Sequence, residues 1–264
     1  MNKSISFIGT GKMATALISC IYKNKFANKI IATNKNENIL KNIKSQFNIK
    51  TTADNKEAVR NSDMVFICVK PQDIDVVLNE IKDEIKNQLI VSIAAGIKIS
   101  HIEKIIGKKR IIRVMPNVNC LVGEMASGFS AGEYATKEDV KIVSEILNSA
   151  GISFFIKEDL INALSVVSGA GPAFFAYFTQ AIAEAGIKKG LPKEMAYKLA
   201  AKTALGTGKL LLEKNLTPDE MIKMVASKKG VTLAGLKVFD KHKVKKILEE
   251  TVNAAYKRSK ELGK

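Results

Sequence analysis

Ser4–Ile8 is a short apolar stretch that runs directly into Gly9-Thr-Gly11-Lys-Met-Ala14, and residues 12–23 then carry Met13, Ala16, Leu17, Cys20 and Ile21 at helical spacing. This strand, glycine turn and helix constrain the chain more than any other feature. In that setting a G-x-G-x-x-A turn has a defined use. The first glycine makes the tight turn, and the second lets the backbone approach a pyrophosphate. The alanine lets the helix pack closely on the strand, with its first amides facing the phosphates.

The alternation continues. Lys29–Thr33, Met64–Val69, Leu89–Ile93, Ile111–Met115 and a segment near Ala126–Ala131 are short apolar runs with helical segments between them. Continuous apolar runs suit strands covered on both faces. Through about residue 155 the pattern predicts an α/β fold with a Rossmann-type doubly wound parallel sheet. From Glu158 onward it turns helical, with helices expected over 173–189, 193–214, 218–226 and 243–262. The expected domains are 1–157, binding a dinucleotide, and 158–264, all-helical.

The end of the second strand bears on which dinucleotide is bound. A carboxylate there would hold a free ribose 2′-hydroxyl and repel a 2′-phosphate. The sequence reads ATNKNEN, with Asn34 and Lys35 at that place. An amide and an ammonium favour NADPH, with NADH the lesser alternative.

Leu160–Ala183 is a run of 24 residues without a charge, long enough to span a bilayer. Gly169-Ala-Gly171-Pro172 is expected to break it into two pieces too short to cross. The piece beyond Pro172 is apolar on all sides, with Phe174, Phe175, Tyr177, Phe178 and Ile182, and the next helix resembles it. Such helices must be buried all round. A domain of about a hundred residues cannot surround two of them, so a second copy of the chain is the expected cover.

The net charge of +16 raises the question of nucleic acid. Only four of the 42 basic residues are arginine, the lysines are spread along the chain, and no basic patch carries interleaved aromatics. We expect no nucleic-acid partner, and a general positive field suited to small anions. Cys20, Cys68 and Cys120 are odd in number and widely spaced, which argues against a disulfide framework or a metal site. Five residues between Lys3 and the glycine turn are too few for a signal-peptide core. A cytoplasmic protein without a membrane span is expected.

Six stretches, in order, carry a resemblance to the pyrroline-5-carboxylate reductase family over essentially the whole chain. They are FIGTGKMA (7–14), VKPQ (69–72), SIAAG (92–96), RVMPNVNCLVGE (113–124), SGAGPAF (168–174) and ASKKGVTLAGL (226–236). The chain departs from the family pattern at Val118-Asn119, where Thr-Pro is usual, at Met125, and at Lys228-Lys229, which replaces a common Pro-Gly.

The resemblance implies reduction of the cyclic imine 1-pyrroline-5-carboxylate to proline by NAD(P)H. It also implies a homodimer or a higher assembly up to a decamer, with the helical domain serving substrate binding and dimerisation. By position, Gly9, Gly11, Lys12 and Met13 would hold the pyrophosphate, and Asn34 and Lys35 the ribose phosphate. Val69, Lys70, Pro71, Ala94, Ala95 and Gly96 would line the nicotinamide, with Asn117 ordering a nearby loop. Ser227, Gly230, Val231 and Thr232 would hold the substrate, the Thr232 hydroxyl meeting the ring nitrogen as the catalytic contact. Hydride addition to an imine needs no metal and no Ser–His–Asp set, and neither is visible. Two other readings stay open. One is another NADPH oxidoreductase of the 3-hydroxyacid dehydrogenase or deazaflavin-reductase type; the other is a non-catalytic nucleotide-binding relative.

Overall fold

The computed structural model describes residues 3–262. They form two compact units, one running to Gly169 and regaining the chain from Tyr256, the other comprising Ala170–Ala255.

The first unit is built on an eight-stranded sheet of β1 (Ser4–Ile8), β2 (Lys29–Thr33), β3 (Lys50–Thr52), β4 (Met64–Ile67), β5 (Leu89–Ser92), β6 (Ile111–Met115), β7 (Met125–Ala131) and β8 (Gly151–Phe155), in the order β3-β2-β1-β4-β5-β6-β7-β8. The two-residue period of a strand sends alternate side chains to opposite faces. Met64 and Phe66 join α1 (Lys12–Lys23), α2 (Glu37–Phe47) and a later helix of the unit in one core. Val65 and Ile67 join α3 (Asn55–Arg60), α4 (Ile74–Ile81) and α5 (Ile99–Ile106) in the other. Both faces are therefore covered, as the uninterrupted apolar strands predict. Phe7 of β1 stacks on Phe66 of β4 with ring centroids 4.8 Å apart, tying two central strands together.

The sheet is not wholly parallel. β7 runs antiparallel to β6, with Val114 opposite Phe129. The reason is the length of the connection. Only residues 116–124 join these strands, and a parallel crossover needs a dozen residues or more. The chain turns back through a 3-10 turn, Val118–Val122. It then crosses over α6 (Lys137–Asn148), capped by a Thr136–Asp139 box, to place β8 parallel to β7.

The expected break at Gly169–Pro172 does not occur. After α7 (Ile161–Leu164) the chain makes a π-helical turn, Ser165–Ala170, and passes directly into α8 (Gly171–Lys188). Pro172 has no amide hydrogen for the carbonyl four residues back, Ser168, and in a regular helix its ring would strike that carbonyl. The wider π turn moves the carbonyl aside, and the Asn117 Nδ2 donates to it at 3.0 Å. With no break, the helical path from Glu158 to Lys188 is long and apolar enough to cross a membrane by length and composition. Length therefore does not keep this stretch out of a bilayer.

The second unit holds α8 packed on α9 (Lys193–Glu213), then α10 (Pro218–Val225), α11 (Val231–Lys241) and most of α12 (Val244–Leu262). A Thr217–Glu220 capping box starts α10. Within one chain these helices leave large apolar side chains in the open: Phe175 is 71% exposed, Tyr177 72% and Ile182 62%.

All four arginines of the chain are in ion pairs. Arg60 meets Glu84 at 3.1 Å, Arg110 meets Asp139 at 2.8 Å, and Arg113 and Arg258 meet Glu158 and Glu261 at 2.9 Å each.

Candidate functional site

A cavity of about 630 Å³ opens at the carboxyl ends of β1, β2 and β4, and Gly9, Gly11, Asn34, Lys35, Val69 and Lys70 all line it. This is where a doubly wound sheet binds ligands, beside the strand at which its order reverses. Gly9 has a φ of +87°, and a Cβ added to it would lie 2.7 Å from Val69 Cγ1. Only glycine fits there. A Cβ on Gly11 would meet nothing within 4 Å, so this glycine faces open space that a ligand can enter. Gly11 is also the N-cap of α1 and supplies no side-chain cap, and the first turn holds no acid. The orphan amides and the positive end of the helix are left for an anion. Lys12 begins the helix, exposed, while Met13 packs against the core. These features fit the pyrophosphate of a dinucleotide.

Hydrogen bonds within the cavity's floor fix the loop after β2. The Thr10 hydroxyl donates to the Thr33 carbonyl at 3.2 Å and accepts from Asn34 Nδ2 at 3.3 Å. The Asn34 Oδ1 accepts from the amide of Asn36 at 2.9 Å. Asn34 is thus committed to holding the loop, and Lys35 is the exposed cation beside it. The buried Thr33 hydroxyl donates at 2.6 Å to Asn55 Oδ1, and Asn55 Nδ2 donates to Glu80 at 3.0 Å. Asn55, absent from the sequence reading, also lines the cavity. It stands at the start of α3, after an Asp54 N-cap, where the sequence shows only an ordinary helix start. Cys68 lines the cavity as well; burial pushes its thiol up, so it stays protonated and neutral.

Lys70 is the N-cap of the 3-10 turn that Pro71 opens, at the edge of this cavity. The loop after β5 is placed differently. Ala94 is buried and Ala95 exposed, while Gly96, with φ +79°, opens on a second cavity of about 630 Å³ with Lys98, Arg113 and Glu158. There Glu158 Oε1 accepts from Arg113 at 2.9 Å and from the Ile99 amide at 2.8 Å, fastening this loop to the start of the helical path.

Asn117 is buried with both ends of its amide engaged, Nδ2 on the Ser168 carbonyl and Oδ1 accepting from the Ala126 amide at 3.1 Å. Its side chain orders the loop between β6 and β7 and steadies the π turn. Asn117→Ala is expected to lower stability by about 2 kcal/mol through two unpaired buried groups. The check is a urea midpoint at unchanged slope. A loss within about 0.5 kcal/mol, the range of an ordinary surface change, would mean that water replaces the amide.

In the second unit, Ser227, Lys228, Lys229 and Gly230 make a tight turn closed by the Gly230 amide donating to the Ser227 carbonyl at 3.0 Å. Lys229 takes φ +63°, a left-handed conformation in which glycine is most at ease. Gly230 is the N-cap of α11 with no side-chain cap, Val231 is 92% exposed, and Thr232 lies half-buried inside the first turn. Thr232 is therefore not the cap of this helix, so its hydroxyl needs another explanation.

Fold and first site define a dinucleotide-binding protein with an appended helical unit. Residues 4–96 match the family described as NADP oxidoreductase, coenzyme F420-dependent, and residues 158–262 match that described as pyrroline-5-carboxylate reductase dimerisation. A pyrroline-5-carboxylate reductase of Methanosarcina acetivorans is 37% identical over 267 residues, covering 100% of this chain and 99% of its own. A solved pyrroline-5-carboxylate reductase from Coxiella burnetii superposes with a TM-score of 0.95 at 32% identity, covering 100% of both chains. One from Plasmodium falciparum with NADP bound gives 0.89 at 29% identity, covering 100% of this chain and 99% of that one. The chain belongs to the pyrroline-5-carboxylate reductase family.

Proposed function

We propose that this protein reduces 1-pyrroline-5-carboxylate to L-proline, the last step of proline biosynthesis, with NADPH as the favoured reductant and NADH as the lesser one. The observation that carries the reading is the single cavity joining the Gly9–Gly11 turn to Asn34 and Lys35, in a chain related to these reductases over its whole length. The nicotinamide supplies a hydride to the imine carbon. The chain's own residues bind and orient two anionic molecules and polarise the imine nitrogen. The amides at the start of α1 hold the pyrophosphate, and Val69, Lys70 and Pro71 flank the nicotinamide, with the loop from Ala94 to Gly96. Ser227 and the amides of Val231 and Thr232, presented by the turn at Gly230, hold the substrate carboxylate. The Thr232 hydroxyl holds the ring nitrogen. A steady-state assay with the imine acid and NADPH tests the whole reading; full binding of NADPH with no oxidation in the presence of the imine would sink it.

Cofactor choice follows from Lys35. An exposed ammonium attracts the 2′-phosphate, and the end of β2 carries Asn34 and Lys35 at the place where a carboxylate would hold a free 2′-hydroxyl. Lys35→Glu should raise the Michaelis constant for NADPH about tenfold or more while changing that for NADH little, since about 1.4 kcal/mol of lost attraction is a factor of ten. Equal changes for both cofactors would remove Lys35 from the phosphate site.

The match of 158–262 to a dimerisation family supports self-association. The finer reading is a homodimer, or a higher assembly up to a decamer, in which a second copy covers Phe175, Tyr177 and Ile182. The same cover explains the apolar path from Glu158 to Lys188 without a bilayer. Phe175→Asp should shift the sedimenting species toward monomer at micromolar concentration while the sheet unit stays folded, because a charge cannot be buried there unpaired. A variant that still assembles as the parent does would move the interface elsewhere. A cytoplasmic location completes the reading, in keeping with three free cysteines and a substrate and cofactor drawn from metabolism.

A further inference from the structure

Cys20 lies in the last turns of α1, half-buried, and Cys120 lies in the 3-10 turn after β6, only 2% exposed. They are a hundred residues apart in sequence, yet Cys20 packs against the buried cluster that holds Cys120, near enough to raise its thiol. Both line a third cavity, of about 360 Å³, which Lys23, Ser149 and Gln46 also border. This cavity is distinct from the cofactor cavity, and none of the roles assigned above uses either thiol.

The geometry points to a redox site in which a small hydroperoxide entering this cavity oxidises Cys20 and Cys120 to a reversible disulfide joining α1 to the turn at 118–122. Cys20 is the more accessible thiol and reacts first. Its sulfur, having given up its proton to solvent, attacks the O–O bond and becomes a sulfenic acid, while the departing oxygen takes a proton and leaves as an alcohol or water. The Cys120 sulfur then attacks the Cys20 sulfur, and the Cys120 proton leaves with the sulfenic oxygen as water. Two thiols lose two electrons and two protons, and the peroxide is reduced. Burial and the neighbouring Cys20 push the Cys120 thiol up to about 12, so it is not the group that meets the peroxide, and it reacts only because the sulfenic sulfur is held beside it. Lys23 brings a positive charge to the mouth that the anionic intermediates face.

The test uses the reduced full-length protein with hydrogen peroxide, then denaturation, thiol titration and peptide mapping. Free thiols are expected to fall from three to one, with a Cys20–Cys120 peptide pair, no covalent dimer, and full recovery on adding dithiothreitol. The bridged form should melt about 5–10 °C higher, as closure of a long loop predicts. Cys20→Ser should keep both remaining thiols under the same treatment. Cys120→Ala, read by a sulfenic-acid trap, should label Cys20; if that variant does not fold, Cys20→Ser and the mapped peptides still decide. Retention of all three thiols overturns the inference. So does a bridge involving Cys68, or one that forms only after unfolding.

Discussion

Gly9→Ala is expected to lose cofactor binding by about a hundredfold and to lower the melting temperature as well. The new Cβ would sit 2.7 Å from Val69 Cγ1, 3.1 Å from the Val69 amide nitrogen and 3.2 Å from the Cys68 carbonyl carbon, two of them backbone atoms that cannot swing away. The φ of +87° adds strain of about 1–2 kcal/mol for any residue with a Cβ. Strain and clash together reach roughly 3 kcal/mol, or about a hundredfold. Gly11→Ala provides the contrast. Nothing lies within 4 Å of its Cβ and its φ is −83°, so the fold should stand unchanged. NADPH affinity alone should fall, because a methyl group would occupy the space a pyrophosphate needs. Fluorescence titration with NADPH, beside thermal melts of both variants, separates these outcomes. If Gly11→Ala binds as the parent does, the phosphates do not approach that backbone.

Thr232→Ala should lower the turnover number ten- to a hundredfold while NADPH affinity stays nearly unchanged. The hydroxyl's contact strengthens as the imine nitrogen becomes an amine, so it stabilises the transition state more than the bound substrate. Removing one such hydrogen bond costs about 1–3 kcal/mol. Capping is not a rival explanation here, because the N-cap of α11 is Gly230. Thr232→Ser keeps the hydroxyl and should retain most of the rate. Equal losses in the Ala and Ser variants would make Thr232 a packing residue.

What could be read from the sequence follows from what local chemistry determines. The central strands were legible because burial on both faces writes them as continuous apolar runs. That Gly9, Gly11, Asn34, Lys35, Val69 and Lys70 would line one cavity was legible because a doubly wound sheet gathers strand ends at one edge. The edge strands β3 and β8 were not. β3 is three residues, Lys-Thr-Thr, and β8 leaves Ile152, Phe154 and Phe155 exposed, so neither shows the buried pattern. The π turn was hidden for a different reason. Gly-Pro reads as a helix break unless something satisfies the Ser168 carbonyl, and Asn117 does so from 51 residues away. The bonds of Asn55 to Thr33 and Glu80 and the meeting of Cys20 and Cys120 at one cavity are equally non-local. α11 was masked because its first residues were read as a substrate segment.

The pairing of every arginine with a carboxylate divides the two kinds of cation by task. Guanidinium groups here act as joints: Arg113, buried, ties β6 itself to Glu158, and Arg110 holds Asp139 inside the capping box of α6. The excess charge of +16 is therefore carried by lysine ammonium groups on flexible stems. Such a surface gathers a loose cloud of mobile counter-anions and no fixed bidentate seat for phosphate. An incoming dinucleotide or imino acid must displace part of that cloud, so capture of both should be fastest in dilute buffer and slow steeply as salt fills the same atmosphere.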